Sequence, residues 1–552
     1  MNTDATVQQT IDPADPNERA AQTFPRLGPE MVARIAAFGT EEARPRGALI
    51  FRRGERSVDF FLVLEGSVEI FDLDACGRPN VFTVHGEHQF TGELDLFNDR
   101  QILVNGRAGS NSRLIRVLRP DFHRMITAEP DIGEIITRAF ILRRVGLVRH
   151  AHGGVLLIGP GHAADTIRLQ RFLTRNNYPH HLVDTDQDAE AASLLASHAI
   201  RQDQLPAVVH DRRVLANPDT PSLADALGLT SAISPDHVHD LAVVGAGPAG
   251  LAAAVYAASE GLDTIVVEGT APGGQAGTSS KIENYLGFPT GISGPALAGR
   301  AHVQAQKFGA RFALSRDVVA LDCDHAPYRM SLADGQVLAA RSVVIATGAR
   351  YRKLALPNFE RFEGQGIHYA ATAMEAELCR FEPVIVVGGG NSAGQAAVFL
   401  SRTCNHVHIL VRGNGLADTM SRYLIDRIEA SPKITLHART EIHALIGEGM
   451  LEEVSWVNRD TGATVTEPIR NVFVMIGAAP NTEWLRGCVV LDGKGFVVTG
   501  EAGLGSPYAT SQPGVFAVGD VRSGSVKRVA SGVGEGSVVV QAIHRFLDPA
   551  LP

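Results

Sequence analysis

The stretch DLAVVGAGPAGLAAAVYAASEGLDTIVVEG, residues 240–269, decides the fold of the region that surrounds it. An apolar strand enters a Gly-x-Gly-x-x-Gly turn formed by Gly245, Gly247 and Gly250, and a small-residue helix follows. Gly245 permits the tight turn, Gly247 lets the backbone approach a pyrophosphate, and Gly250 lets the helix pack closely on the strand. Glu268 ends the next strand, where its carboxylate can accept hydrogen bonds from a ribose. The combination predicts a dinucleotide-binding domain.

The same pattern returns in PVIVVGGGNSAGQAAVFLSRTCNHVHILVRG, residues 383–413. Here Gly388, Gly390 and Ala393 take the places of the three glycines. The second strand ends without an acid, which disfavours recognition of an unmodified ribose diol, and Arg412 follows it. Two such units in one chain predict two doubly wound, Rossmann-like nucleotide-binding domains.

The N-terminal half has a different organisation. Short alternating strands separated by Gly and Asp/Asn turns predict a small β-barrel, and a helical stretch follows it. The next segment reads strand, helix, strand, helix, hairpin, helix, which suits a thioredoxin-like fold. The expected fold class is therefore multidomain α/β. The expected divisions are a disordered lead-in at 1–24, the barrel at 25–150, the thioredoxin-like domain at 151–232, the first nucleotide domain at 236–352 and 479–552, and the second at 353–478.

Composition excludes several classes of function. The net charge of −9 argues against a nucleic-acid partner, and the absence of a long apolar run predicts no membrane span. The acidic, polar N-terminus does not resemble a signal peptide. Five scattered cysteines, an odd number with no C-x-x-C spacing, favour reduced thiols in a cytoplasmic protein, without disulfides or a zinc site.

From about residue 238 to the end, the motifs follow one family's order. GAGPAG, GGQAGTSSKIENYLGFPTGISG, ATGA, GGGNSAG, VFVMIGAAPNTEWL and GDV appear in that sequence. The region resembles the low-molecular-weight thioredoxin reductase family of FAD-dependent, NADPH-using flavoproteins. The resemblance implies FAD between two discontinuous halves, an inserted NAD(P)H domain and a homodimer.

The resemblance also implies which residues bind FAD. Asp520 matches the aspartate that binds the ribityl chain, and Asn284 matches an asparagine near the isoalloxazine ring. The family's Arg-Gln-Ala reads Lys527-Arg528-Val529 here, and the added charge could stabilise reduced flavin or bind phosphate. The expected FAD-binding residues are Gly245, Gly247, Pro248, Ala249, Gly250, Glu268, Gly273, Gly274, Gln275, Asn284, Thr347, Gly348, Gly519, Asp520, Arg528 and Val529.

For the pyridine nucleotide, the resemblance favours NADPH, with NADH as the alternative. Arg412 stands where the family pairs an arginine with the 2′-phosphate, but the rest of the family's basic cluster is missing. Arg422 is either a substitute or a solvated helix residue. The expected residues are Gly388, Gly390, Asn391, Ser392, Ala393 and Arg412.

The family's redox-active Tyr-Cys-Ala-Thr-Cys-Asp is replaced here. The chain reads Tyr369-Ala370-Ala371-Thr372-Ala373-Met374, so both thiols and the acid are gone and no catalytic side chain is expected. Alanine has no nucleophile, so a relay through a protein disulfide cannot operate. Cys379, alone six residues further on, is interpreted as a packing residue, with a redox role as the alternative.

The two N-terminal domains also lack residues that the families they resemble use for binding or redox chemistry. The barrel resembles cyclic-nucleotide-binding domains, and Glu93 matches their ribose-binding glutamate. Apolar Ile102 and Leu103 stand about where the phosphate-binding arginine of these domains belongs. A cyclic nucleotide is therefore a possible partner of the barrel only if Arg100 or Arg107 compensates the charge of its phosphate. The 151–232 domain has Pro206 at the position of the fold's cis-proline but no cysteine in GPGHAADT. This pattern indicates a scaffold or docking module.

Three hypotheses remain open. The first is an FAD-dependent NAD(P)H oxidoreductase that passes electrons from reduced flavin directly to an external small-molecule or protein acceptor. The second is a thioredoxin-disulfide reductase that uses a dithiol from a partner. The third is a flavin- or nucleotide-sensing regulator without catalysis.

Overall fold

The structure is a computed structural model that describes residues 19–56, 58–73, 78–97, 100–211, 213–279, 282, 285–363, 365–369, 371, 373–501 and 505–548. Packing divides the chain into two compact units. The first runs to Gly348 and resumes at Thr482, and the second spans Ala349–Asn481. Among the described residues, no helix combines the length and apolar character that a bilayer crossing requires.

The N-terminal part of the first unit is a barrel of two antiparallel sheets with flanking helices. Its elements are α1 (Ala20–Thr23), α2 (Pro29–Ala36), β1 (Thr40–Arg44), β2 (Leu49–Phe51), β3 (Phe60–Glu65), β4 (Val68–Leu73), β5 (Pro79–His85), β6 (Asn105–Ala108), β7 (Ser112–Val117), α3 (Arg119–Ala128) and α4 (Pro130–Arg149). The strand orders are β1–β7–β3 and β2–β6–β4–β5.

Two details of this barrel differ from the sequence prediction. Strands β1 and β6 belong to these sheets although TEEAR and NGRA lack the apolar alternation from which the barrel was predicted. The single predicted helical stretch is two helices, α3 and α4. The residue before a proline is disfavoured in the helical region, and Glu129, before Pro130, is non-helical.

The thioredoxin-like domain follows the predicted order. Its elements are β8 (Val155–Gly159), α5 (Ala164–Arg175), β9 (His180–Asp184), α6 (Ala191–Ser197), β10 (Ala207–His210), β11 (Arg213–Ala216) and α7 (Thr220–Ala226). The sheet order is β11–β10–β8–β9, with β8 parallel to β9 and antiparallel to β10. The peptide bond between Leu205 and Pro206 is cis.

The first doubly wound domain begins at the GAGPAG stretch. Its first half contains β12 (Val238–Val244), α8 (Pro248–Ser259), β13 (Thr264–Glu268), α9 (Gly294–Lys307), β14 (Arg311–Leu314), β15 (Val318–Asp322), β16 (Tyr328–Leu332) and β17 (Val337–Ile345). Strand β12 lies between β13 and β17 and is parallel to both. Its apolar run is buried, as expected for a parallel sheet covered on both faces.

The second unit holds the other doubly wound domain. Its elements are β18 (Ala349–Tyr351), β19 (Ile367–His368), α10 (Ala373–Leu378), β20 (Pro383–Val387), α11 (Asn391–Leu400), β21 (His406–Leu410), α12 (Arg422–Glu429), β22 (Ile434–His437), β23 (Thr440–Ile446), β24 (Glu453–Asn458), β25 (Thr464–Glu467), β26 (Val472–Val474) and β27 (Ala478–Pro480). The parallel sheet has the order β19–β26–β20–β21–β22. Strands β18 and β27 pair with each other, so this unit is slightly longer than the predicted 353–478.

The chain then returns to the first doubly wound domain and completes it. Strand β28 (Val515–Ala517) adds parallel to β17, and α13 (Val529–Leu547) packs on α8. The helices can approach closely because Gly536 has no side chain; a Cβ atom there would collide with the Ala249 carbonyl oxygen. The predicted multidomain α/β fold class, with two Rossmann-like domains, is confirmed.

The three parts of the first unit share their apolar cores. Phe172 and Leu173 of α5 lie in one buried cluster with Val63 of the barrel. Val303 of α9 lies in the cluster that fills the other side of the barrel, with Phe90 and Phe140. The barrel therefore packs against both of the domains that follow it in the first unit.

The expectation of five reduced cysteines was wrong. Cys323 and Cys488 form a disulfide, with Cα atoms 5.7 Å apart and a sequence separation of 165 residues. Both lie at the edge of the core beneath the β15–β16–β17 strands. Sequence spacing gave no sign of this bond, because the fold alone brings the two segments together.

Candidate functional site

The first glycine turn joins β12 to α8. Gly245 has a φ of +105°, and a side chain there would collide with the backbone of Ala346. A side chain at Gly250 would collide with the Gly245 carbonyl oxygen, so the start of α8 lies directly on the turn. Around Gly247, in contrast, the space is open: a Cβ atom at this residue would lie 4.0 Å from its nearest neighbour, the Gly274 Cα. The turn has room for a diphosphate at the N-terminus of α8, which carries partial positive charge.

Glu268 is fixed by backbone amides. One carboxylate oxygen accepts from the Ala246 amide at 2.8 Å, and the other from Thr270 at 3.0 Å and Ala271 at 3.3 Å. Burial raises the pKa of this carboxyl above its ordinary value, while the amides and Arg175 oppose the rise. A carboxylate has about four acceptor positions, so capacity remains for a ribose hydroxyl.

The Gly273-Gly274-Gln275 segment closes on the first turn. The Gly273 amide donates to the Ala246 carbonyl at 2.7 Å, and a side chain at Gly274 would press on the Gly247 Cα. Gln275 is exposed at the start of a short 3-10 turn. Asn284, which the sequence places near the flavin ring, lies outside the described residues.

The returning half supplies the other expected FAD residues. Thr347 and Gly348 follow β17, and Gly519 and Asp520 follow β28, its parallel neighbour. Asp520 is half-buried, and burial raises its pKa while Lys527 opposes the rise. The remaining members of the set lie at helix starts: Pro248 and Ala249 open α8, Arg528 is exposed at the N-cap of α13, and Val529 begins that helix.

Sequence reasoning missed Glu535, which holds the turn around Asp520. Its carboxylate accepts from the Gly519 amide at 2.6 Å and pairs with Arg522 at 2.7 Å. Lys527 donates to the Asp520 carbonyl at 3.3 Å and lies 5.0 Å from the centre of the Phe496 ring. Glu535 lies in the second turn of α13, so its contact with the Gly519 amide depends on where that helix packs.

The second glycine turn joins β20 to α11 in the same way. Gly388 has a φ of +138°, Gly390 faces open space, and the buried Ala393 packs beneath the turn. The exposed Asn391 accepts from the Ser421 amide at 2.7 Å, so its oxygen fixes the start of α12. Ser392 is exposed beside it, at the N-terminus of α11.

The two candidate arginines for a 2′-phosphate differ in their surroundings. Arg412 is exposed just after β21, and within the described part of the chain no carboxylate pairs with it. Arg422 pairs with Asp426 at 2.8 Å and contacts Glu429 at 3.6 Å on its own helix. Arg412 is therefore available to a phosphate, and Arg422 is a solvated helix residue.

The segment that carries the family's dithiol contains no thiol. Ala370 lies outside the described residues, and Ala373 begins α10. Cys379, at the end of that helix, is fully buried with Cys404, and their sulfur atoms lie 3.5 Å apart. Cys323 and Cys488 are joined in the other unit. Among the described residues, no free cysteine is exposed.

In the barrel, the carboxylate of Glu93 already accepts hydrogen bonds from another side chain of the protein. Arg144 of α4 donates to both of its carboxylate oxygens, at 2.7 and 2.6 Å, and to Asp95 at 2.6 Å. All three side chains are at most 7% exposed. The proposed substitute Arg107 pairs with Glu69 at 2.7 Å. Arg144 thus takes the acceptor positions that a ribose would need, a role that sequence reasoning missed.

The comparisons with known proteins agree with this division. The profile described as pyridine nucleotide-disulphide oxidoreductase matches residues 239–536, and the cyclic nucleotide-binding domain matches residues 41–129. The NADPH-dependent thioredoxin reductase 3 of Arabidopsis thaliana is 34% identical over 61% of this chain, which spans 62% of that relative's length. A thioredoxin reductase of Listeria innocua is 31% identical over 57% of this chain and 96% of its own.

Solved structures show the same similarity. The thioredoxin reductase of Streptococcus pyogenes is 30% identical, with a TM-score of 0.50 over 56% of this chain and 99% of its own. That of Giardia duodenalis is 26% identical, with a TM-score of 0.51 over 56% and 99%. The chain belongs to the pyridine nucleotide-disulphide oxidoreductase family, as a thioredoxin reductase-like, FAD-dependent NAD(P)H oxidoreductase with an N-terminal cyclic nucleotide-binding domain.

Proposed function

We propose that this enzyme passes electrons from NAD(P)H through FAD directly to an external acceptor, without a protein dithiol. The observation that carries the proposal is the state of the cysteines. The positions of the family's two thiols are Ala370 and Ala373, and the nearest thiol along the chain, Cys379, is fully buried. A thiol must reach its partner as an exposed thiolate to exchange disulfides, and no free cysteine among the described residues can do so.

The first doubly wound domain fits FAD. The open face of Gly247 and the α8 N-terminus suit its diphosphate, Glu268 suits a ribose hydroxyl, and Asp520 suits the ribityl chain. FAD, when bound, supplies a ring that accepts hydride from a nicotinamide. The protein's part is to bind and orient both nucleotides, and small alanines replace the bulkier thiols at the positions from which the family's dithiol acts.

The second doubly wound domain fits a pyridine nucleotide with a 2′-phosphate. Gly388 and Gly390 form the turn, and β21 ends without an acid. Arg412 follows that strand, and its guanidinium forms no ion pair with a carboxylate of the described residues. NADPH is therefore the proposed donor. We also propose the predicted domain limits, 236–352 and 479–552 for FAD and 353–478 for NADPH, and a homodimer, as the similarity to thioredoxin reductases suggests.

A second function has one observation in its favour. The relatives named above are thioredoxin reductases, so a thioredoxin-like protein could be the acceptor. In this chain such a partner would have to supply the dithiol itself.

A panel of acceptors separates the two functions. Full-length protein is mixed with NADPH, and nucleotide oxidation is followed with oxygen, a quinone, ferricyanide, or thioredoxin plus a disulfide dye. We expect turnover with one or more of the first three acceptors and none above background with thioredoxin. Efficient dye reduction that depends on thioredoxin would favour the second function and overturn the first.

A restored variant provides the matched control. The triple substitution Ala370→Cys, Ala373→Cys and Met374→Asp returns the family's residues to this chain. We expect it to gain thioredoxin-dependent dye reduction while NADPH oxidation with the small acceptors persists. If wild type and this variant reduce thioredoxin equally well, the missing thiols are not what determines the acceptor.

A further inference from the structure

The end of helix α5 in the thioredoxin-like domain lies on the loop that follows Glu268. Asn176 donates to the Thr270 carbonyl at 3.3 Å, and Arg175 donates to the Gly274 carbonyl at 3.4 Å. The turn that carries the redox pair in thioredoxin-like proteins is at the opposite end of this helix and has no cysteine here. What the domain presents to its neighbour is therefore the C-terminal end of α5.

Arg175 contacts a residue that borders the open space of the first glycine turn. Its partner Gly274 packs on Gly247, the residue whose exposed face leaves room for a diphosphate. Glu268 is close enough to attract the Arg175 charge, although the two form no ion pair. The loop that Arg175 contacts thus begins after Glu268, which is expected to bind the ribose, and packs on Gly247, which is expected to meet the diphosphate.

The guanidinium of Arg175 is partly desolvated. It is half-buried, and burial lowers its pKa, because the charged form loses hydration there. Within the described ranges, no carboxylate pairs with it, and its hydrogen-bond acceptor is a carbonyl oxygen. A cation of this kind beside an open anion-binding turn is compensated best by a phosphate.

We propose that the thioredoxin-like domain forms one wall of the FAD site and supplies Arg175 to the cofactor's diphosphate. This inference rests on the proposed binding of FAD to the GAGPAG turn. It assigns the domain a binding function that needs no cysteine. It also accounts for the position of a cation next to Glu268, since the diphosphate and this carboxylate would otherwise repel each other.

The test is FAD affinity, measured by flavin fluorescence on the full-length protein after removal of its flavin. We expect Arg175→Gln to weaken FAD binding about 10- to 100-fold, because charge-assisted hydrogen bonds to phosphate are among the strong ones. Arg175→Lys should lose less FAD affinity than Arg175→Gln, since lysine keeps the positive charge but lacks the planar guanidinium. Arg171→Gln is the matched control: this arginine is exposed on the same helix and should leave the affinity unchanged.

Salt separates a direct contact from loop support. The difference in FAD affinity between the wild-type protein and Arg175→Gln should become smaller as the potassium chloride concentration is raised, because salt screens the coulombic attraction. A loss of equal size at all salt concentrations would mean that Arg175 only supports the Gly274 loop, and it would overturn the proposal, as would equal affinity of the two proteins. If wild-type protein itself does not bind FAD, the proposed function fails before the variant is compared. Circular dichroism and the melting temperature of Arg175→Gln establish that it is folded.

Discussion

Arg412 is the residue on which the proposed preference for NADPH over NADH rests. It follows a strand that ends without the acid used to bind an unmodified ribose, and it is exposed without a carboxylate partner in the described part of the chain. Arg422, the other candidate, is held by Asp426. In the proposed NADPH site, a single arginine would therefore contact the 2′-phosphate.

We expect Arg412→Ala to raise the KM for NADPH about tenfold, the loss of one charge-assisted contact, with little change in kcat. The KM for NADH should not change, because NADH has no 2′-phosphate. Steady-state oxidation of both nucleotides with a small acceptor measures this. Arg422→Ala is the control and should behave as wild type. An equal rise in KM for both nucleotides would show that Arg412 does not contact the 2′-phosphate.

For individual residues, the sequence predicts most of what is local. The positions of Gly245 and Glu268 at strand ends follow from a motif whose spacing is set by backbone geometry. The sequence could not predict which side chains would already be hydrogen-bonded to another part of the chain. Asn391 was expected to face the nucleotide, yet its oxygen binds the Ser421 amide, a contact that depends on where α12 begins.

Helix α4 buries two arginines against the barrel. Arg143 donates to the Thr23 and Gly92 carbonyls at 3.0 and 2.9 Å, and Arg144 pairs with Glu93 and Asp95. The sequence predicted a helical stretch here, but not that two adjacent arginines of it would be buried. A long-range ion pair leaves no local pattern in a sequence.

We expect Glu93→Gln to destabilise the protein by about 1–3 kcal/mol, because glutamine cannot accept both Arg144 hydrogen bonds while Asp95 still pairs with Arg144. Urea unfolding measures the loss. Glu41→Gln is the matched control in the same barrel: its pair with Arg113 is about half-exposed and screened by solvent, so its loss should destabilise the protein much less than the loss of Glu93.

We also expect no rise in melting temperature of the wild-type protein with cyclic AMP or cyclic GMP, since Arg144 occupies Glu93. A clear stabilisation by either nucleotide would mean that this ion pair opens for a ligand. A Glu93→Gln variant as stable as wild type would remove the argument that the pair is structural.

Across the whole molecule, the chain order of domains was predictable and their connections were not. Motif order placed one nucleotide domain inside the other, and the second compact unit, Ala349–Asn481, lies within four residues of the expected limits at each end. The bond between Cys323 and Cys488 could not be read from the sequence, because it joins segments on either side of that inserted unit. Contacts such as Val303 of α9 within the barrel core depend likewise on tertiary packing.

The route by which electrons leave this enzyme, directly from the flavin or through a protein dithiol, can be read from its reductive stoichiometry. The measurement is an anaerobic titration of the FAD-loaded protein with NADPH, followed by the visible absorbance of the flavin. We predict complete bleaching at one molar equivalent, because in direct transfer the electron pair from NADPH stays on FAD and does not pass to the disulfide between Cys323 and Cys488. A requirement for two equivalents would contradict direct transfer, and the Cys323→Ser, Cys488→Ser variant would show whether that disulfide takes the second pair of electrons.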